Sequence, residues 1–93
     1  MLKSIFRTPQ FKRDYKAAMK KRRDEGKFVQ AVSALMDEDS ELLRTRFRDH
    51  ALKGEWEGFR ELHIEGDWLL VYRIEREVLQ LVLVRTGSHD KLF

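Results

Sequence analysis

The sequence predicts an α+β fold in which a short strand and a helical hairpin precede a three-stranded antiparallel meander. Apolar residues recur at helical spacing through positions 9–36, whereas they alternate or run continuously through positions 58–85. The joints between the later apolar runs, at 65–67 and 75–77, are too short for helical crossovers, so consecutive strands pair with each other. A chain of 93 residues suits one domain, residues 1–93, with a modest core.

The first strand is expected in the segment LKSIFRT, and the first helix follows it directly. Thr8 can cap a helix N-terminus, and Pro9 suits the first turn of a helix. Phe11, Tyr15 and Met19 then recur every four residues and form one apolar stripe. The stripe predicts a helix that buries this face in the core.

A second helix is expected after the break at 24–26, which reads DEG. The helical period resumes at Phe28, Val29, Val32, Leu35 and Met36, and the segment DEDS at 37–40 ends it. The two helices therefore form a hairpin that covers one face of the sheet.

Residues 40–56 are charged and irregular, and they predict a long connection anchored by Leu42, Leu43 and Phe47. Three segments rich in strand-forming residues follow this connection: GFRELHI, WLLVYRI and VLQLVLVR. These segments are the three strands of the meander.

Composition excludes several classes of protein. The chain has no cysteine, no apolar run near the roughly 20 residues of a membrane span, and no secretion signal at its start. We therefore expect a soluble, cytoplasmic protein that does not bind membranes.

The basic residues are concentrated in one part of the chain. Residues 1–27 carry 10 Lys and Arg against 3 Asp and Glu. A one-sided basic surface suits a polyanion such as RNA, although the same charges are also typical of a solvated helix face. The candidate contacts on the first helix are Lys12, Lys16, Lys20 and Arg23.

The meander brings five chemically useful residues to one edge of the sheet. In an antiparallel meander the end of one strand, the start of the next and the end of the third lie together. The residues at that edge are His63, Asp67, Trp68, Arg85 and His89. His50 lies just before the meander, and topology alone leaves its position open.

This set of side chains favours acid–base chemistry on RNA. Two histidines can supply a proton acceptor and a proton donor near neutral pH, and an arginine can hold a phosphate. RNA carries its own nucleophile, the 2′-hydroxyl, so cleavage requires no metal or other cofactor. The histidines, at spacings of 13 and 26 residues, form no paired metal-binding motif. Most of these residues also have a structural explanation: His63 suits a strand residue whose imidazole a neighbour satisfies, Asp67 a turn, Trp68 a core, and Arg85 a surface charge.

Two segments carry a family resemblance: DHALKGEWEGFRELHIEGDWLLVYRI and RTGSHDKLF. They resemble the YafQ branch of the RelE/ParE superfamily of toxin–antitoxin toxins, closely over residues 49–93 and by pattern elsewhere. The resemblance implies a RelE-like fold and an endoribonuclease, an mRNA interferase that cuts translated messenger RNA on the ribosome. It also implies an antitoxin partner, through which a toxin–antitoxin complex binds operator DNA.

The resemblance also implies roles for individual residues. His50, His63, Asp67 and His89 share proton transfer, Arg85 holds the phosphate, and Phe93 orients a base, with Trp68 accompanying them. The basic helix then contacts ribosomal RNA or an acidic antitoxin segment. Two other hypotheses stay open: a ParE-like toxin that poisons DNA gyrase by binding, and a corepressor that only binds antitoxin.

Overall fold

The computed structural model describes residues 1–93, which form one five-stranded sheet with helices packed against it. Two single-turn 3₁₀ helices, Gly54–Trp56 and Arg76–Val78, connect strands. None of the helices is long and apolar enough to span a bilayer. In chain order the strands and α-helices are β1 (Ser4–Arg7), α1 (Pro9–Lys20), α2 (Glu25–Met36), α3 (Ser40–Thr45), β2 (His50–Ala51), β3 (Arg60–Glu65), β4 (Trp68–Glu75), β5 (Gln80–Gly87) and α4 (His89–Leu92).

The predicted meander is confirmed as β3, β4 and β5, and two further strands extend it on either side. The strand order is β1-β5-β4-β3-β2, with β1 parallel to β5 and the other neighbours antiparallel. Parallel neighbours need a long crossover, which the intervening helices and strands provide. The strand pattern of LKSIFRT predicted β1 but carried no information on its partner.

Side-chain caps determine where the first two helices begin. The Thr8 hydroxyl accepts a hydrogen bond from the Phe11 amide at 3.0 Å, as the TP pair predicted. The Asp24 carboxylate accepts one from the Lys27 amide at 3.4 Å, so the DEG segment starts α2 as well as separating it from α1. Each cap satisfies a backbone donor that has no partner inside its helix.

The main core lies between the helices and one face of the sheet. Phe11 and Ala18 of α1 and Ala31 and Leu35 of α2 are buried on the helix side. Val29, which the helical period assigned to the core, is 54% exposed. The buried face of α2 is therefore narrower than predicted. The small residues Ala31 and Ala34 pack against the core, whereas Val29 faces solvent. On the sheet side the core contains Leu62, Ile64, Trp68, Leu70, Tyr72, Leu81 and Leu83.

The prediction of an irregular connection over 40–56 is wrong. Asp39 caps the short helix α3 by accepting the Leu42 amide at 3.2 Å, and Leu43 and Phe47 are buried as expected. Strand β2 then adds His50 and Ala51 to the edge of the sheet. The high charge concealed these elements because most of their side chains point to solvent.

The second face of the sheet carries a smaller core. Leu69 and Val71 of β4 are buried there with Leu92 of α4. Since strand side chains alternate between faces, these residues point away from the helical hairpin. The side chains that partly cover this core are Leu52, Trp56, Phe59 and Val84.

Candidate active site

The sheet register aligns the candidate residues in two neighbouring rows. His63 of β3 and Gly87 of β5 both pair with Leu69, while Glu61 and Arg85 both pair with Val71. Neighbouring strands are about 4.8 Å apart, so groups on β3 and β5 face each other across β4 at roughly 10 Å. Strand β3 with His63 and strand β5 with Arg85 therefore lie on either side of the apolar β4 residues Leu69 and Val71.

Two of the histidines share a buried carboxylate. Glu61 is 5% exposed, and its Oε1 lies 3.3 Å from Nε2 of His50 and 4.0 Å from Nε2 of His63. The two imidazole centroids are 6.4 Å apart. The structure thus brings His50 into the site through its pairing with Glu61 on β3.

Arg48 links the same two histidines from the other side. Nδ1 of His50 donates to the Arg48 carbonyl at 2.9 Å, so His50 pairs with Glu61 only when its second nitrogen is also protonated. Nδ1 of His63 lies 3.1 Å from Arg48 Nη2 and 3.3 Å from the Gly66 carbonyl oxygen, so it accepts from the guanidinium in one tautomer and donates to the carbonyl in the other. The two imidazoles therefore differ in their surroundings: Nδ1 of His50 has only a carbonyl neighbour, whereas Nδ1 of His63 has both a donor and an acceptor.

The turn before β4 positions the third histidine. Gly66 has a φ of +50°, a left-handed conformation that glycine adopts without strain. The neighbouring Asp67 accepts a hydrogen bond from the His89 amide at 3.2 Å and so anchors the start of α4. The structure shows Asp67 as a support for His89, and its role in proton transfer stays a prediction.

The C-terminal residue lies against the site. The ring of Phe93 is 5.4 Å from that of His89 and 5.6 Å from that of Trp56 (centroid distances), and 45% of the residue is exposed. A half-exposed aromatic ring beside a histidine suits stacking on a base. Trp56 forms part of this aromatic surface and was not among the predicted site residues.

Arg85 is tethered to the first helix. Its Nε donates to Asp14 Oδ2 at 2.9 Å and its Nη2 to Oδ1 at 3.1 Å. Burial raises the pKa of the Asp14 carboxyl, but hydrogen bonds from Arg85, Gln10 and the Thr86 amide and the positive charge of Arg85 outweigh it. The pKa of Asp14 therefore lies below its ordinary value.

The lowered pKa predicts how Asp14 contributes to stability. A carboxyl whose pKa is lower in the folded state stabilises the fold above its ordinary pKa, and the contribution disappears as pH falls through the folded pKa. We expect the free energy of unfolding to fall less between about pH 5 and pH 2 in Asp14→Asn than in the wild type. Urea titrations across this range measure it. Asp37→Asn, at an exposed carboxylate without side-chain hydrogen bonds, should keep the wild-type slope; equal slopes in all three proteins would contradict the prediction.

The structure contradicts an RNA-contacting role for Trp68. The residue is 0% exposed, stacks on Phe28 at 6.2 Å, and is covered by Arg23, whose guanidinium carbon lies 5.8 Å from the ring centre. Trp68 is the first residue of β4 and its side chain faces the helical hairpin. It lies at the edge of the sheet but has no access to solvent. Trp68 is a core residue.

The basic residues of the first helix differ in their accessibility. Lys12, Lys16 and Lys20 are exposed, and their spacing of four residues places them in one row along α1. Arg23 follows the helix, is half-buried and lies on Trp68. The row of lysines is therefore the more accessible part of the predicted basic surface.

The site is an open surface and not an enclosed pocket. Two grooves of about 400 and 430 Å³ lie elsewhere, one between α3 and the outer part of the sheet and one between β1 and the helices. No group of three or more His, Asp or Glu side chains is arranged to hold a metal ion. An open face with acid–base groups and an arginine suits a polymeric anion better than a small molecule.

Sequence reasoning missed Glu61 and Asp14. Glu61 is two residues from His63 on a strand, so alternation alone places both side chains on one face. Asp14 lies three residues after Phe11 and four before Ala18, within the buried stripe of α1. An acidic residue on an apolar stripe predicts a buried ion pair, and this signal was available.

A five-stranded sheet with helices packed against it is the fold that this chain shares with the RelE-like toxins. The model of the family described as "Bacterial toxin of type II toxin-antitoxin system, YafQ" matches residues 3–93. The chain belongs to the YafQ toxin family.

Individual relatives agree with this assignment. The mRNA interferase toxin YafQ of Escherichia coli K12 is 34% identical over 84 residues, which cover 90% of this chain and 88% of the relative. YafQ in the E. coli DinJ–YafQ complex superposes with a TM-score of 0.83 at 34% identity, covering 96% of both chains. A metal-bound toxin from Helicobacter pylori superposes with a TM-score of 0.88 at 39% identity over the full length of both chains.

Proposed function

We propose that this chain is an endoribonuclease, an mRNA interferase that stops translation by cutting messenger RNA on the ribosome in the cytoplasm. The observation that carries the proposal is the placement of His63 and Arg85 on the two strands that flank β4. Acid–base groups on one side of a phosphate and a guanidinium on the other are what cleavage by the RNA 2′-hydroxyl requires. The hypothesis of a gyrase poison that acts by binding does not use this arrangement.

The reaction needs one proton acceptor and one proton donor. The acceptor removes the proton of the 2′-hydroxyl, and the 2′-oxygen attacks the adjacent phosphorus. The bond from phosphorus to the 5′-oxygen then breaks, and the donor protonates that oxygen. The products are a 2′,3′-cyclic phosphate and a 5′-hydroxyl. His50, His63 and His89 supply the titratable groups, because a histidine accepts or donates a proton near neutral pH.

Arg85 and Phe93 bind the substrate. Nη1 of Arg85 makes no hydrogen bond within the protein, so its two N–H groups are free for a phosphate oxygen that gains negative charge in the transition state. The half-exposed ring of Phe93, next to His89, offers a stacking surface for a base at the cut site.

The proposed partners follow from the family. The E. coli relative was crystallised with the protein DinJ in a toxin–antitoxin complex. We infer that a cognate antitoxin neutralises the present chain, and that the complex binds operator DNA through the antitoxin.

A cleavage assay with and without programmed ribosomes tests the proposal. We expect the wild-type protein to cut a defined messenger on ribosomes, leaving cyclic phosphate ends, and His89→Ala to cut about 10²- to 10⁴-fold more slowly. Val78→Ala, an exposed residue at the opposite end of the sheet, is the matched control and should cut normally. Ribosome-free reactions with EDTA show whether free RNA is cut without metal. Absence of cleavage by wild-type protein that arrests growth would favour a binding poison.

The row of lysines on α1 predicts a salt-dependent contribution to RNA binding. Replacing Lys12, Lys16 and Lys20 with alanine should make the plot of log affinity against log salt shallower by about 2, since each phosphate contact to single-stranded RNA contributes about 0.7. Binding is measured with RNA whose 2′-hydroxyls are methylated, which prevents cutting. A triple variant at Lys3, Arg73 and Arg76 removes equal charge near the β4–β5 joint and should keep the wild-type slope. If the lysine variant also keeps that slope, these residues do not contact RNA.

A further inference from the structure

Arg85 is held from one side by Asp14, a residue with no part in the reaction proposed above. The carboxylate accepts from Nε and Nη2, at 2.9 and 3.1 Å, and these two bonds fix the plane of the guanidinium. Nη1, on the remaining side of the fork, has no partner within the protein. The side chain of Arg85 is 25% exposed. One edge of the guanidinium is therefore tethered and another is free.

Asp14 is itself fixed in place by several donors. Its side chain is 1% exposed and accepts from Gln10 Nε2 at 3.0 Å and from the Thr86 amide at 3.1 Å, with Lys91 Nζ at 3.8 Å. Pairing between β1 and β5 ends at Arg7, so the amide of Thr86 lies beyond the last strand partner on that edge. Asp14 takes the place of that partner and joins α1 to β5 next to the site.

We propose that Asp14 is a positioning residue for RNA cleavage, which holds the Arg85 guanidinium so that Nη1 is directed to the reacting phosphate. This inference rests on the proposed ribonuclease function. A free arginine loses side-chain freedom when it binds a phosphate, and a bidentate carboxylate removes much of that freedom beforehand. The charge of Asp14 does not favour RNA binding, because a carboxylate and a phosphate are both negative and repel each other.

Whether kcat rises or falls when the Asp14 carboxylate is removed distinguishes a positioning role from an effect of net charge. If the net charge near the phosphate decides activity, removing the carboxylate of Asp14 raises affinity for RNA and leaves kcat unchanged or higher. If the orientation of Arg85 decides activity, removing the carboxylate lowers kcat, because a transition-state contact is lost. KM then changes little.

The test measures kcat and KM for messenger cleavage by wild type, Asp14→Asn, Arg85→Ala and the double variant. We expect Asp14→Asn to lower kcat about 10- to 100-fold with KM within about threefold. We expect no further loss when it is added to Arg85→Ala, because Asp14 acts through Arg85. Gln10→Ala removes another hydrogen bond to the same carboxylate but leaves the Arg85 pair, and it should retain activity within about twofold.

Asp14→Glu provides a second variant if Asp14→Asn is unfolded at the assay temperature. It keeps the charge but moves the carboxylate by about one methylene, and we expect kcat to fall about tenfold. Wild-type kcat in the folded variants, or losses that add to that of Arg85→Ala, would overturn the positioning role. Absence of cleavage by the wild type would instead overturn the ribonuclease function, together with the role of Asp14 that depends on it.

Discussion

Replacing His63 with alanine or glutamine is expected to slow RNA cleavage about 10²- to 10⁴-fold with little change in KM. Both ring nitrogens of His63 lie next to polar groups: Nδ1 is 3.1 Å from Arg48 Nη2 and 3.3 Å from the Gly66 carbonyl oxygen, and Nε2 is 4.0 Å from Oε1 of the buried Glu61. Glutamine keeps a hydrogen-bonding side chain of similar reach but cannot exchange a proton near neutral pH. Loss of activity in both variants would therefore report proton transfer and not a missing contact.

The measurement is single-turnover cleavage across pH. The wild type should show a bell-shaped profile, and the His63 variants should lose one limb of it. Glu65→Gln is the matched control, since Glu65 is exposed on the same strand and forms only a surface pair with Lys27 at 3.5 Å. Cleavage by His63→Gln within about twofold of wild type would remove His63 from the mechanism.

Replacing Trp68 with alanine is expected to lower the free energy of unfolding by about 3–5 kcal/mol, the usual cost of truncating a buried large aromatic residue. The indole is fully buried between Phe28 and Arg23, so its loss leaves a cavity beneath the helical hairpin. Trp68→Phe should cost much less. The indole Nε1 is a buried donor without a partner, so removing it loses no hydrogen bond.

Urea denaturation followed by circular dichroism measures both variants. Folded Trp68→Phe should bind methylated RNA as the wild type does, because the indole does not reach the surface. A cost below about 1 kcal/mol for Trp68→Ala would contradict the core position. Weaker RNA binding by folded Trp68→Phe would restore the contact that the sequence predicted.

Much of the fold was predictable because local patterns encode it. Thr8 and Asp24 cap helices wherever those helices pack, and alternation in β3 reports a strand with one face in the core. The neighbouring pairing of β3, β4 and β5 follows from joints that are too short for any other topology. The segment 40–56 was not predictable in this way, since α3 and β2 are too short to show a period and are stabilised by contacts of Asp39, Leu43 and Phe47.

For the candidate site, the sequence predicted which residues lie together at one edge of the sheet. The structure places His63, Asp67, Arg85 and His89 at that edge. Their partners were not predictable from spacing. Asp14 is 71 residues from Arg85 in the chain, and Arg48 is 15 from His63. Which residues form hydrogen bonds or ion pairs across such separations depends on how α1 and the segment before β2 pack against the meander.

By itself the sequence determined the α+β class, the meander, the caps of α1 and α2 and the set of titratable residues at one edge. Each of these depends on local pattern or on the length of a joint between strands. Only the tertiary structure decided that β1 pairs with β5, that His50 joins the site through Glu61, and that Trp68 faces the core. These outcomes depend on which face of a strand is covered and which edge is free. Those conditions exist only after the helices have packed on the sheet and the charged residues Asp14 and Glu61 have been buried.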